Sequence, residues 1–134
     1  RLCANAGATL HLVHPLGFRL DAAQLRRAGM DYRETITRQE HADWAAYLQW
    51  RTTHTPQTTL YALTTKATAA YTTVAYQPGD ALLLGAETRG LPPDILATLP
   101  ASQQLRIPMQ PGSRSLNLAN AAAIVLGTSK KRWV

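Results

Sequence analysis

The chain has 134 residues, 46% of them hydrophobic and 16% charged, which is enough for one globular domain with a proper core and excludes a disordered polypeptide. No apolar run approaches the roughly 20 residues that span a bilayer, no signal peptide with a basic start is visible, and a lone cysteine, Cys3, excludes an internal disulfide framework and fits a reducing, cytoplasmic setting. The net charge of +6 comes from 11 arginines and 3 lysines against 8 acids, a balance that favours phosphate-bearing partners because guanidinium forks match phosphate oxygens.

Taken in chain order, Arg1-Leu2-Cys3-Ala4-Asn5-Ala6-Gly7 reads as the end of a helix stopped by glycine, with further residues expected before it in the complete protein. Residues 9–13 form an apolar strand closed by His14-Pro15-Leu16-Gly17. Asp21 caps a helix over 22–28, with Gly29 as its stop. A short strand is expected over 34–37 and a helix over 40–50, where Trp44, Tyr47, Leu48 and Arg51 recur at helical spacing. Threonine, leucine and tyrosine content makes 58–64 a strand; 66–71 reads as a short helix and Gln77-Pro78-Gly79-Asp80 as a turn. A buried strand over 81–84 ends at Gly85, and a helix over 92–99 carries prolines in its first turn. The strand over 105–107 runs through a loop with two prolines into an alanine-rich helix over 116–129. Strands alternating with helices predict an α/β fold, a parallel sheet flanked by helices.

Three polar loops follow predicted strands: Leu63-Thr64-Thr65-Lys66, Gly85-Ala86-Glu87-Thr88-Arg89-Gly90-Leu91-Pro92, and Gln110-Pro111-Gly112-Ser113-Arg114-Ser115-Leu116-Asn117. All three emerge at the carboxyl edge of a parallel sheet, where open α/β folds bind ligands. Taken singly, a glycine-rich loop after a strand reads first as a plain turn. Ser115 or Asn117 can accept bonds from the first turn of the last helix. Glu87, the single acid of the three loops, is open to three roles: general base, partner for Arg89, or a group that orients a cation. Neither a dinucleotide fingerprint nor a phosphate-loop lysine motif occurs. Without a nucleophile-elbow motif, Ser113 and Ser115 are poor acyl-transfer nucleophiles. His11, His14, His41 and His54 lack metal-ligand spacing, and no metal is expected. Trp44, Tyr47 and Trp50 read as core or dimer contacts ahead of a base-stacking surface.

Taken together, the three loops, with Ile107-Pro108-Met109 before the third and Leu118-Ala119-Asn120 after it, resemble the SPOUT RNA 2′-O-methyltransferases. Within that class the likeness is to tRNA (cytidine/uridine-34-2′-O)-methyltransferases. The opening segment, residues 12–18 and Leu25-Arg26-Arg27-Ala28-Gly29-Met30-Asp31-Tyr32 are similar to the same group, so the likeness spans 1–134 as one domain. It implies a C-terminal trefoil knot, a homodimer, S-adenosyl-L-methionine as methyl donor and the wobble ribose of tRNA as acceptor. The implied cofactor contacts are Leu63, Gly85, Ile107 and Ser115, largely through backbone groups. The family's catalytic arginine matches Arg1, its motif-two glutamate Glu87, and its motif-three serine and asparagine Ser115 and Asn117. The chain begins at that arginine, so the family's first strand and its asparagine-glycine turn are expected to be missing. Gly127-Thr128-Ser129-Lys130-Lys131-Arg132-Trp133-Val134 departs from the family's aromatic-rich closing helix.

Arginine is a poor base at its free pKa, so Arg1 is read as positioning a phosphate or stabilising developing charge, with the base left open. Arg26, Arg27, Arg33 and Arg114 are the candidate RNA phosphate contacts. The competing readings are methylation of ribosomal RNA or another tRNA position, and a non-catalytic RNA-binding domain. A small nucleotide-binding regulator ranks last, for want of a phosphate loop.

Overall fold

The computed structural model describes residues 7–14, 38–85, 90–109 and 118–130. The chain divides into two compact units, Arg1–Pro56 and Gln57–Val134.

In the first unit, strand β1 (Leu10–Val13) pairs in parallel with β2 (Arg38–His41), Leu10 opposite Arg38 and Val13 opposite His41. The His14 amide donates to the His41 carbonyl at 3.0 Å, which carries the ladder one residue past the strands. Helix α1 (Trp44–His54) starts where Asp43, in extended backbone, accepts the Ala46 amide on Oδ1 at 2.8 Å. Such a cap satisfies one of the four orphan N–H groups of a first turn. Arg51 and His54 occupy the last turn, the favourable end of the dipole for a cation. Leu12, His41 and Tyr47 are buried. The expected helix over 40–50 is thus corrected, because Glu40 and His41 are strand. Pairing with β1 claims 38–41, and Asp43 supplies a better start than any residue before it. The strand expected over 34–37 and the helix over 22–28 lie outside the described residues.

The second unit holds a four-stranded parallel sheet in the order β4-β6-β3-β5, made of β3 (Leu60–Leu63), β4 (Ala69–Ala70), β5 (Ala81–Leu83) and β6 (Gln104–Arg106). The last strand lies inside the sheet, between two earlier ones. Its middle residue, Leu105, is fully buried. Alternation along the strands sends side chains to two faces. Ala62 and Leu83 meet Leu91, Leu96 and Leu99 on one face, against helix α2 (Pro93–Ala97). Tyr61, Leu63, Leu82, Leu105 and Ile107 pack with Tyr76 and with Val125 of helix α3 (Leu118–Lys130) on the other.

Pro92 caps α2 and Pro93 opens it, where a missing N–H costs nothing. At its far end Gln104 Nε2 donates to the carbonyls of Leu96 (2.9 Å) and Leu99 (3.0 Å), tying α2 to β6. Gln77-Pro78-Gly79-Asp80 is the expected turn: Gly79 has φ 91°, as the third position of a type II turn requires, and the Asp80 amide donates to the Gln77 carbonyl. The Asp80 carboxylate accepts the amides of Gln77 and Thr59, both at 2.9 Å, and so joins the starts of β3 and β5.

One expectation here is overturned. Residues 66–71 are not a helix: Ala69 and Ala70 form β4, paired with Leu105 and Arg106, and Tyr71–Thr73 is a single 3-10 turn. A free edge on β6 outweighs the helix propensity of alanine.

Candidate active site

The strand order sets the geometry of the site. Because β6, β3 and β5 are adjacent and parallel, their carboxyl ends open on one edge. Leu63 is the last residue of β3, Gly85 stands two residues past β5, and Ile107 directly follows β6. All three are half-buried, and Leu63 and Ile107 pack on the cluster of Tyr76, Leu105 and Val125. The edge therefore offers two adjacent apolar side chains, Ile107 and Leu63, with the Gly85 backbone on the far side of Leu63.

Gly85 is the tightest point. A Cβ there would overlap the backbone of Gly90 and Leu91, so Gly85 and Gly90 are in close backbone contact. Gly90 holds φ 66°, a left-handed value that favours glycine. Beside it, the Thr64 amide donates to the Leu105 carbonyl at 2.9 Å, extending the β3–β6 ladder by one bond. Thr64 then folds the following turn: its carbonyl accepts the Ala67 amide at 3.3 Å and its hydroxyl accepts the Lys66 amide at 3.2 Å.

Of the residues expected from the sequence, the structure brings Leu63, Gly85 and Ile107 to this edge. Arg1, Glu87, Ser115 and Asn117, and the candidate phosphate contacts Arg26, Arg27, Arg33 and Arg114, lie outside the described residues. The tyrosines of the sheet offer no base at neutral pH. Burial, helped by the neighbouring Tyr61 and Tyr71, pushes the Tyr76 phenol up to about 12, and its hydroxyl donates to the Tyr71 carbonyl at 2.6 Å. Burial, then the Asp80 charge, also raises Tyr61. An open groove of about 530 Å³, lined by Thr59, Tyr61, Ala69, Val74 and Gln103, sits toward the starts of β3 and β6, away from the carboxyl edge.

Sequence reasoning missed a pairing in the first unit. His11 Nδ1 and His41 Nε2 lie 2.9 Å apart, one donating and the other accepting, with the rings stacked. Tyr47 and Trp50 of α1 meet both rings. Desolvation, then the His41 and Arg51 charges, holds His11 below its ordinary pKa. The signal was the matching of two parallel strands 30 residues apart, which no local pattern reveals. Among the described residues, no group of three or more His, Cys, Asp or Glu side chains could hold a metal ion, and no helix is long and apolar enough to cross a membrane.

Residues 1–127 match the SpoU rRNA Methylase family. The chain belongs to that family. Among SpoU relatives, a tRNA (cytidine(34)-2′-O)-methyltransferase of Escherichia coli strain K12 is 52% identical over 126 residues, covering 94% of this chain and 78% of the relative. A solved structure described as giving structural insights into the 2-OH methylation of C/U34 on tRNA superposes with a TM-score of 0.85 at 35% identity, over 99% of this chain and 79% of that one. A putative RNA methyltransferase from Bacillus anthracis gives 0.84 at 32% identity, over 98% and 82%. The parallel α/β fold of this chain is that of SpoU methyltransferases.

Proposed function

We propose that this chain is an S-adenosyl-L-methionine-dependent RNA 2′-O-methyltransferase that acts on the ribose of nucleotide 34 of tRNA, a cytidine or uridine. The observation that carries the reading is the junction of Leu63, Gly85 and Ile107 on three adjacent strand ends, in a chain 52% identical to an enzyme named for that reaction.

The edge fits the donor. Apolar Leu63 and Ile107 suit a flat adenine, and Gly85, whose missing side chain lets the Gly90 and Leu91 backbone close in, keeps main-chain groups at the edge for polar contacts. When bound, S-adenosyl-L-methionine supplies an electrophilic methyl group on a sulfonium sulfur. Ser115 adds a further contact to it, as the family resemblance implies. Ser115 and Asn117 orient the acceptor ribose and the start of the last helix. Arg1 stabilises negative charge developing on the 2′-oxygen or positions a neighbouring phosphate, and Glu87 fixes its own loop through Arg89. Arg26, Arg27, Arg33 and Arg114 contact RNA phosphates. Most of the rate enhancement then comes from holding two reactants in attack geometry.

Three further parts belong to the same reading. The chain is a single SPOUT domain over 1–134 whose C-terminal segment forms a trefoil knot; the insertion of β6 between β3 and β4 supports this. It works as a homodimer, supported by the exposed face of α3 that carries Asn120, Ala123, Ile124 and Gly127. It acts in the cytoplasm, with its tRNA substrate. The site assignment is tested by Asn117→Ala, with methyl transfer to tRNA and cofactor affinity measured together. Both fall if the assignment holds, and wild-type values for both would overturn it.

A further inference from the structure

Two cations flank the same edge and have no part in the site as drawn so far. Lys66 stands on the turn after β3, and Arg106 is the last residue of β6, the strand beside it. Both side chains are exposed. Neither is loosely carried. The turn of Lys66 is pinned by three bonds through Thr64, and Ala67 after it is buried. Arg106 is held in the ladder opposite Ala70.

Among the described residues, neither cation is paired with an acid. The second unit has two described acids. The Asp80 carboxylate is committed to the Thr59 and Gln77 amides at the opposite, amino edge of the sheet, and Asp94 sits in the first turn of α2. A solvated positive pair beside a ligand edge serves an anion that arrives with the ligand.

We infer that Lys66 and Arg106 bind the phosphates of the RNA strand on either side of the methylated ribose, and so set the acceptor against the methyl donor. The inference rests on the proposed RNA methylation. A 2′-hydroxyl is never more than one sugar away from a phosphate, so a ribose brought to Leu63 and Ile107 carries its flanking phosphates onto the same edge. Phosphate contacts of this kind fix register and orientation without reading sequence. Both residues are positioning residues here, with no role in moving a proton.

The test uses the full chain with an unmodified transcript of a tRNA bearing cytidine 34. Lys66→Gln, Arg106→Gln and the double variant are compared with wild type for RNA affinity across a salt series, donor affinity by calorimetry, and KM and kcat for methylation. RNA affinity should fall about threefold in each single variant and on the order of tenfold in the double, the scale of exposed charge contacts. The slope of log affinity against log salt should shrink by roughly 0.7 per lost phosphate contact. KM for tRNA rises, kcat and donor affinity stay near wild type, and Lys66→Arg restores affinity. An unchanged salt slope in the double variant overturns the inference while leaving the methylation reading intact. Failure of the wild-type chain to bind or methylate the transcript overturns both. Circular dichroism on each variant separates loss of fold from loss of contact, and a folded variant that loses donor affinity instead of RNA affinity also overturns the assignment.

Discussion

The two units end their parallel strands in the same way and finish the edge differently. In each, one backbone bond continues the ladder past the strands: His14 to His41 in the first unit, Thr64 to Leu105 in the second. In the first unit the next side chains close on each other. His14 Nε2 lies 3.2 Å from Glu40 Oε1, and His11 stacks on His41 under Tyr47 and Trp50. In the second unit no such closure forms among the described residues, which leave glycine backbone at Gly85, half-buried Leu63 and Ile107, and the exposed cations Lys66 and Arg106 at the edge. An edge whose polar groups satisfy one another is structural. An edge that leaves backbone and charge facing outward can take a ligand.

The largest break in this comparison should come from the sheet that supports the open edge. Leu105→Ala removes a fully buried side chain from the central strand, and should destabilise the second unit by about 2–5 kcal/mol, the cost of the lost burial and the cavity. Urea unfolding measures it, and a change below about 1 kcal/mol would mean that β6 is not the sheet's centre. Next in size, Gly85→Ala forces the backbone of Gly90 and Leu91 apart. Overpacking of this kind costs about 1–3 kcal/mol, and the same strain carried into the site should lower donor affinity roughly fivefold to a hundredfold, at ~1.4 kcal/mol per decade. Calorimetry that finds wild-type donor affinity would remove Gly85 from the site.

The closed edge should answer to pH. Because burial, His41 and Arg51 hold the His11 pKa below its ordinary 6.5, the unfolded chain takes up this proton first as pH falls. The contribution of His11 is therefore whole above 6.5 and is lost as pH drops from 6.5 through the lowered folded value. His11→Phe, which keeps a ring against Trp50, should flatten the pH dependence of the urea midpoint between about pH 7 and about pH 5. An unaltered profile would show that the His11 pKa is not lowered by folding. The smallest effect belongs to Glu40→Gln. Its partner His14 and Glu40 itself are 42% and 47% exposed, and pairs this open contribute about 0–1 kcal/mol, so stability should barely move.

Much of the second unit was legible locally. The apolar run at 81–84, the Pro78-Gly79 turn and the prolines opening α2 each carry a signal within a few residues, and each is where the sequence puts it to within a residue or two. What was not legible depends on partners far away in the chain. Arg38-Gln39-Glu40-His41 has the composition of a helix start, and only pairing with β1 makes it a strand. Ala69 and Ala70 favour a helix, until β6 arrives some 35 residues later with an open edge. The site divides in the same way. Leu63, Gly85 and Ile107 could be read as strand ends, whereas Lys66 and Arg106 become neighbours only through the order β6-β3. The His11–His41 contact likewise needs the β1–β2 register.

The central claim is that the open edge serves methyl transfer to the ribose of nucleotide 34. Incubation of the full chain with S-adenosyl-L-methionine and unmodified tRNA, followed by nuclease digestion and mass spectrometry, tests it directly. The account predicts a single added methyl on the 2′-oxygen of cytidine or uridine 34, in wild type and not in Asn117→Ala. A methyl group at another nucleotide or on a base, or none with donor and tRNA both bound, would contradict it.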